Sequence, residues 1–258
     1  ASTKAVQQVE TKAMRSERRE GVPRAVHSMA YENAATLGGK CHRMLFEHGT
    51  PSRRSPEASP KKELKKEGRP MEHPHIPLED LQAQVAACRR CPLCDGRTQT
   101  VFGVGNPEAR VLIVGEAPGK NEDLQGEPFV GAAGKYLNEL LAIAGLSRED
   151  VYIANVLKCR PPSNRDPRPE EIQACTPFLR EQTRTINPEY IVTLGNFSTK
   201  FILKTDVGIT RLHGTLQRAG RFKVFPIFHP AAALYDSKKR EALENDFATL
   251  GELLRGEV

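Results

Sequence analysis

The chain has 258 residues, 38% of them hydrophobic, so it can bury a substantial core. Its net charge of +6 is uneven, because residues 1–70 carry 15 Lys and Arg against 8 Asp and Glu, and residues 71–258 carry 23 against 24. The positive charge therefore belongs to the first segment, and does not itself indicate that the remainder binds nucleic acid.

The sequence has no apolar run long enough to span a membrane and no secretory signal, which excludes membrane partners. Its six cysteines lack the spacing of a disulfide framework, which favours a reducing compartment. We expect a soluble, cytoplasmic protein that is a monomer.

Residues 1–70 are polar and show no sustained helical or strand period, which predicts a disordered basic tail ending in a proline-containing linker. A more specific interpretation is that residues 1–70 form a basic arm that adds non-specific affinity for DNA. Residues 71–258 are predicted to form the folded domain, and we assign no role to Cys41 or His42.

The folded domain begins with a predicted helix after Pro77, whose apolar face carries Leu78, Leu81, Val85 and Cys88. A buried strand follows at residues 111–114, then a polar loop, then a helix that carries Leu137, Leu140, Leu141 and Ala144.

Three further strands are predicted at residues 151–157, 190–195 and 223–228, and Pro226 favours an edge position for the last one. Helices are predicted from Pro169, with an interruption at Pro177, through residues 201–203, and from Ser237. Strands that alternate with helices predict a three-layer α/β/α sandwich with a central, mostly parallel, four-stranded sheet.

Three of these strands end in polar residues, which parallel packing would bring to one edge of the sheet. The first is followed by Gly115-Glu116-Ala117-Pro118-Gly119, with Glu122, Asp123 and Phe129 further along the loop; the second ends near Asn155, and the fourth ends in His229-Pro230. Taken together with the ring of Phe129, they predict a pocket for a flat polar ring.

The cysteines form a second candidate site. Cys88 and Cys91 are spaced like half of a four-thiolate site, and Cys159 with Cys175 can supply the other half. Cys91 and Cys94 have the same spacing and remain an alternative, although Cys88 lies on the apolar face of its helix. Four thiolates suit either zinc or an iron–sulfur cluster. Structural zinc sites usually use two closely spaced pairs, whereas Cys159 and Cys175 are far apart in the sequence, so the prediction favours [4Fe-4S].

At this point the chain resembles the family 4 uracil-DNA glycosylases, the iron–sulfur type of bacteria and archaea. The resemblance covers about Leu78 to Leu254 and rests on Gly115 to Gly119, Pro128-Phe129-Val130-Gly131, the segment Asn155 to Pro162, four cysteines in order, and His229-Pro230. It implies removal of uracil from DNA in base-excision repair and a [4Fe-4S] cluster held by Cys88, Cys91, Cys159 and Cys175, which supports Cys88 over Cys94.

The resemblance also implies roles in the pocket, which the chemistry of the residues fits. Phe129 would stack on the extruded base, and the Asn155 amide would donate to uracil O4 and accept from N3–H. Cytosine presents the opposite order there, and such a mismatch gives about 10⁴-fold discrimination. His229 would donate to uracil O2 and stabilise the departing anion.

Family 1 glycosylases have an aspartate where this chain has Ala117, so Glu116, Glu122 and Asp123 are the candidates for the catalytic carboxylate. We expect Glu122 to orient the attacking water, with Glu116, Ala117 and Asp123 lining the pocket. Glu122 and Asp123 could instead only cap or solvate the loop.

Local basic clusters on a nearly neutral domain predict contacts with DNA phosphates. They comprise Lys158, Arg160 and Arg165 in the proline-rich loop, and Lys238, Lys239 and Arg240 at the start of the last helix. Leu234, in the loop after His229-Pro230, is the predicted wedge for the gap left by the base. Two alternatives remain: a protein of the same superfamily that acts on another damaged base or only binds DNA, and a redox or nucleotide-binding protein.

Overall fold

The structure is a computed structural model that describes residues 76–257. The predicted tail and linker, residues 1–70, lie outside the described residues, as do Cys41 and His42. The helices are α1 (Leu78–Ala86), α2 (Leu93–Gly96), α3 (Lys120–Gln125), α4 (Ala132–Ile143), α5 (Pro169–Ile186), α6 (Gly195–Leu203), α7 (Ile209–Leu212), α8 (Pro230–Ala233) and α9 (Ser237–Arg255). The strands are β1 (Val104–Gly105), β2 (Val111–Gly115), β3 (Val151–Asn155), β4 (Tyr190–Leu194), β5 (Gln217–Ala219) and β6 (Phe222–Ile227).

The strands form one sheet in the order β1-β3-β2-β4-β6-β5. Its four central strands, β3, β2, β4 and β6, are parallel, and these are the four predicted strands. The prediction of four strands in total is wrong, because β1 and β5 add short antiparallel strands at the two edges. Strands of two and three residues are too short to show an alternating pattern in a sequence.

Helices cover both faces of the sheet, as expected for an α/β/α sandwich. Val111 and Ile113 of β2 face a core with α4 and α9, which contribute Leu137 and Phe247 among others. Leu112 and Val114 face the opposite core, with Leu179 and Ile186 of α5 and aromatic residues of α6. Because successive side chains of a strand point to opposite faces, a strand without polar residues is buried on both sides.

Pro226 does not mark an edge strand, because β6 is paired on both sides. β5 extends only along residues 222–224, so Pro226 lies beyond its end. There the Pro226 carbonyl accepts from the Gly214 N–H at 3.0 Å. A proline at this point removes no donor from the β5 ladder, which explains why it is tolerated.

The predicted helix interruption at Pro177 is also wrong, because α5 continues through this residue to Ile186. The ring removes the N–H that would bond to the carbonyl of Gln173, one turn earlier. Both residues are exposed, so water can satisfy that carbonyl.

The polar loop after β2 contains the short helix α3, which was not predicted. This helix has six residues, with the carboxylate of Glu122 in its first turn and the left-handed Gly126 directly after its end. Both features are typical of helix termini. Within residues 76–257, each helix is either too short or too polar to cross a bilayer.

Candidate active site and cysteine-lined cavity

The carboxyl ends of the parallel strands open onto a pocket of about 480 Å³. Gly115 at the end of β2 is paired with Asn155 at the end of β3, and β6 leads directly into His229. Parallel packing therefore brings together residues that are far apart in the chain. The lining includes six of the seven residues predicted for catalysis or base recognition, namely Glu116, Ala117, Glu122, Phe129, Asn155 and His229, and also Arg165, which was predicted as a DNA contact.

Asn155 is a buried amide in the lining of this pocket. Its side chain is 2% exposed, and Oδ1 has no hydrogen-bond partner among the described residues. A buried acceptor without a donor costs about 1–3 kcal/mol, so it indicates a ligand that supplies an N–H or O–H. A Cβ on Gly115 would lie 2.3 Å from this Oδ1, so the glycine is needed for the amide to occupy its position.

Phe129 lies against the same glycine, since a Gly115 Cβ would be 2.8 Å from its ring. The backbone of Phe129 has φ 56°, a left-handed conformation that a bulky residue rarely adopts. Gly134 allows α4 to pack on the Phe129 carbonyl, and Arg148 donates to the carbonyls of Pro128 and Phe129 at 2.8 and 3.3 Å. These contacts hold the ring in place as one wall of the pocket.

His229 faces Phe129 across the pocket, with ring centroids 5.6 Å apart and planes inclined by 29°. Its Nδ1 accepts from the backbone N–H of Ala231 at 3.2 Å, so the proton of the neutral ring is on Nε2. Burial lowers the pKa of His229 to about 4, although the carboxylate of Glu122 opposes that shift. The imidazole is therefore a neutral donor at physiological pH.

Two carboxylates complete the wall. Oε1 of Glu122 accepts from the N–H groups of Val130 and Gly131 at 3.1 and 3.2 Å, where α4 begins. Its other oxygen, Oε2, lies against Gly119, where an added Cβ would be 2.7 Å away. Glu116 is half-buried, and burial, with a smaller contribution from the carboxylate of Asp166, raises its pKa.

The structure corrects two of the predicted roles. Asp123 is 4% exposed, and its Oδ1 accepts from the Thr98 N–H at 3.0 Å. It therefore connects α3 to the segment around Thr98 and does not line the pocket. Lys158 is 1% exposed and its Nζ donates to the Asn155 carbonyl at 2.8 Å, so it cannot contact DNA phosphates. Burial lowers the pKa of Lys158 to about 8.

The other predicted DNA contacts differ in availability. Arg165 forms a bidentate pair with buried Glu171, with one bond of 2.9 Å, so it is not a free cation. Arg160 donates to the Asn164 side chain, and Lys239 pairs with Asp236 at 3.2 Å. Arg240 stacks over Tyr136. Lys238 is exposed and forms no ion pair with the described residues.

The predicted wedge, Leu234, is half-buried and packs against the core. The next residue, Tyr235, is 95% exposed. Sequence reasoning missed both Tyr235 and Asp166, which lines the pocket beside Glu116. The position of Asp166 in the proline-rich loop was the only available signal for it. Leu234 was chosen because it is the largest residue of the segment 232–234.

A second, much smaller cavity, of about 10 Å³, is lined by five cysteines, namely Cys88, Cys91, Cys94, Cys159 and Cys175. Two N–H groups donate to sulfur there, from Arg97 Nη1 to Cys159 and from the Lys158 backbone to Cys175, each at 3.2 Å. Cys88 follows the end of α1 rather than lying within it.

The cavity's donor set is entirely sulfur, which suits zinc or an iron–sulfur centre. Burial raises the pKa of Cys175 to about 11, so its thiol is neutral until a metal displaces the proton. Within the described part of the chain, no three His, Cys, Asp or Glu side chains are arranged to hold a single metal ion.

The fold and the pocket together define a class: an α/β/α protein whose pocket, at the carboxyl edge of its sheet, combines an aromatic ring, a buried amide and an imidazole. Comparison with known proteins identifies the family. Residues 102–250 match the model of the uracil DNA glycosylase superfamily. The chain is 50% identical to a type-4 uracil-DNA glycosylase of Archaeoglobus fulgidus over 184 residues, which cover 68% of this chain and 92% of that protein.

Two other relatives carry the same name. The type-4 enzyme of Sulfurisphaera tokodaii is 47% identical over 68% of this chain and 84% of its own length. That of Thermotoga maritima is 48% identical over 61% of this chain and 83% of its own length. This chain belongs to the uracil DNA glycosylase superfamily, within its type-4 family.

Proposed function

We propose that this protein hydrolyses the N-glycosidic bond of deoxyuridine in DNA, which releases uracil and leaves an abasic site. The observation that carries this proposal is the unpartnered Asn155 Oδ1, buried in a pocket that also holds Phe129 and His229. Uracil N3–H supplies the missing donor. The relatives' name, type-4 uracil-DNA glycosylase, supports the same activity.

Base removal begins with extrusion of uracil from the stack, at a cost of a few kcal/mol. The extruded ring stacks on Phe129 while Asn155 accepts from N3–H and donates to O4. Cytosine carries an amino group and an unprotonated N3 at these positions, so it leaves the buried amide unpaired. Recognition therefore depends on the orientation of one side chain.

His229 promotes departure of the base. As the bond between C1′ of the sugar and N1 of uracil breaks, its electron pair moves onto uracil, and negative charge develops at O2. The Nε2–H of His229 donates to that oxygen. Loss of one such donor typically lowers the rate about 10²–10³-fold.

Water then forms the new bond to C1′ and releases a proton. We assign orientation of this water to Glu122, whose Oε1 is held by two N–H groups and whose Oε2 is free of hydrogen bonds from the described residues. Its negative charge also favours the positive charge that develops on the sugar. Glu116 forms the neighbouring wall, together with Ala117.

Contacts to the DNA backbone come from exposed cations near the pocket. Arg160 and Lys238 are the available members of the predicted set, while Lys239 and Arg240 can exchange exposed local pairs for phosphates. The substrate is uracil-containing DNA, single- or double-stranded, bound by a monomer.

The cysteine-lined cavity is proposed to hold a [4Fe-4S] cluster through Cys88, Cys91, Cys159 and Cys175. Such a cluster, when bound, supplies four metal–sulfur bonds that connect distant segments of the chain. These cysteines would join the segment after α1, the start of the loop after β3, and α5, which keeps the proline-rich loop against the pocket. Arg97 and the Lys158 backbone donate to the sulfurs.

The activity is tested with purified protein and a labelled oligonucleotide containing one uracil. We expect alkali-labile abasic sites with uracil, and none with cytosine or thymine at the same position. Oligonucleotides with other damaged bases serve as the comparison, and cleavage of those alone would move the protein to another activity within the superfamily.

The cluster is tested separately by measuring iron and sulfide per chain. We expect Cys175→Ser to lose iron and Cys94→Ser to retain it. Iron loss in Cys94→Ser with retention in Cys88→Ser would assign the ligand to Cys94 instead. Zinc in place of iron and sulfide would contradict the cluster.

A further inference from the structure

Lys158 is a buried cation between the two sites. It lines the cysteine cavity, and its backbone N–H donates to Cys175 Sγ at 3.2 Å. Its side chain extends toward β3, where Nζ donates to the Asn155 carbonyl at 2.8 Å. It is also among the largest fully buried side chains of the described chain.

The acceptor of this hydrogen bond belongs to the residue that recognises the base. Asn155 is the last residue of β3, and the adjacent N–H, that of Val156, already donates to the Gly115 carbonyl. The ammonium thus holds the last peptide group of β3 through its carbonyl oxygen. A shift of this peptide would move the Asn155 side chain, since both are attached to the same Cα.

A buried ammonium requires compensation by charge or hydrogen bonds. Among residues 76–257 no carboxylate lies within 4.0 Å of Lys158 Nζ, and the partner that the ammonium finds is the Asn155 carbonyl. Lys158 therefore joins the lining of the cysteine cavity to the end of the strand that carries Asn155.

We propose that Lys158 is a positioning residue, whose buried ammonium lies between the cysteine cavity and the pocket. By donating to the Asn155 carbonyl, it holds the Asn155 backbone where the side-chain amide can form hydrogen bonds with uracil. The inference rests on the proposed function and deepens it. Lys158 contacts neither the base nor the sugar.

The test compares Lys158→Met, which keeps the aliphatic chain and removes the ammonium, with Lys135→Met, an exposed lysine on α4, as a matched control. Each is made in the natural background and in Asn155→Ala. Three quantities are measured: iron per chain, affinity for free uracil, and the single-turnover rate of uracil release. Misplacement by about 1 Å can cost 10²-fold in rate.

We expect Lys158→Met to lose at least about tenfold in both uracil affinity and rate in the natural background, with iron content unchanged. In Asn155→Ala the same substitution should change either quantity less than about threefold, because the group it positions is gone. Lys135→Met should match the parent in each background.

Equal losses in the two backgrounds would overturn the proposal, as would no loss at all. A loss accompanied by missing iron would also overturn it, since Lys158 would then act only by retaining the metal. If Lys158→Met does not fold, Lys158→Gln removes the same charge with a polar end and is measured in the same way. A natural protein that releases no uracil would instead refute the proposed function, before any variant is compared.

Discussion

The protonation state of His229 is set by its surroundings in the pocket. Its pKa falls from 6.5 to about 4, so the ring stays neutral through the range where a free histidine titrates. We therefore expect a constant single-turnover rate between pH 7.5 and 5.5, and a fall only as the pH approaches about 4. A drop in rate centred near pH 6.5 would show that the ring is not desolvated.

The same shift affects stability, with a defined sign. Between pH 6.5 and about 4 the unfolded chain binds a proton at His229 that the folded chain does not. The contribution of His229 to the free energy of unfolding is thus fully present above pH 6.5 and is lost as the pH falls toward about 4. In His229→Ala the free energy of unfolding should therefore decline less over that interval.

His229→Ala should also have a lower glycosylase rate at every pH, while its affinity for DNA is retained.

Gly115 has a role that depends on the absence of a side chain. A Cβ there would meet Asn155 Oδ1 at 2.3 Å and the Phe129 ring at 2.8 Å, so Gly115→Ala must displace one of them. We expect free-uracil affinity to fall by about 10-fold or more, consistent with the cost of about 1–3 kcal/mol for leaving a buried acceptor unpaired. Gly96→Ala is the control, because nothing lies within 4 Å of its Cβ position. Unchanged uracil binding in Gly115→Ala would contradict the pocket geometry.

At the level of elements, the junction between α8 and α9 presents an aromatic side chain to solvent. Leu234 packs against the core, whereas Tyr235 is 95% exposed and directly precedes Asp236, which caps α9. A tyrosine in this position can stack on DNA bases, a contact worth about 1–3 kcal/mol. We therefore expect Tyr235, not Leu234, to fill the gap left by the base.

Tyr235→Ala should lower the rate of uracil release from double-stranded DNA by about tenfold, because unstacking is then no longer offset. The rate with single-stranded DNA should change much less. Tyr235→Phe keeps the ring and should retain activity. A larger effect of Leu234→Ala on double-stranded cleavage, at unchanged stability, would restore the original assignment.

On the scale of the whole molecule, both the pocket and the cysteine-lined cavity are built from residues 76–257, the part of the chain that the structure describes. Removal of residues 1–65 should therefore leave the single-turnover rate at saturating DNA within about twofold of the full chain. DNA affinity is then measured across salt concentrations. A shallower salt dependence after removal supports the basic-arm interpretation, an unchanged one supports a tail without that role, and a large loss of rate would contradict our domain assignment.

The sequence itself determined the alternation of strands and helices and the edge at which the site lies. The β2 and β3 segments are unbroken apolar runs, and their polar residues come directly at the ends. A parallel sheet must bring those ends together, so Phe129, Asn155 and His229 could be placed in one pocket from order and spacing alone. The grouping of Cys88, Cys91, Cys159 and Cys175 was predicted from their spacing, and these four line one cavity together with Cys94.

Only the tertiary structure decided which way individual polar side chains point. Asp123 and Lys158 have the composition of surface residues but are buried, because a backbone N–H in one case and a strand-end carbonyl in the other provides their partner. The choice between Leu234 and Tyr235, and the edge strands β1 and β5, likewise depend on contacts between segments distant in the chain. Local pattern specifies whether a segment is a helix or a strand, whereas the burial of a charge is determined by the partner that packing brings to it.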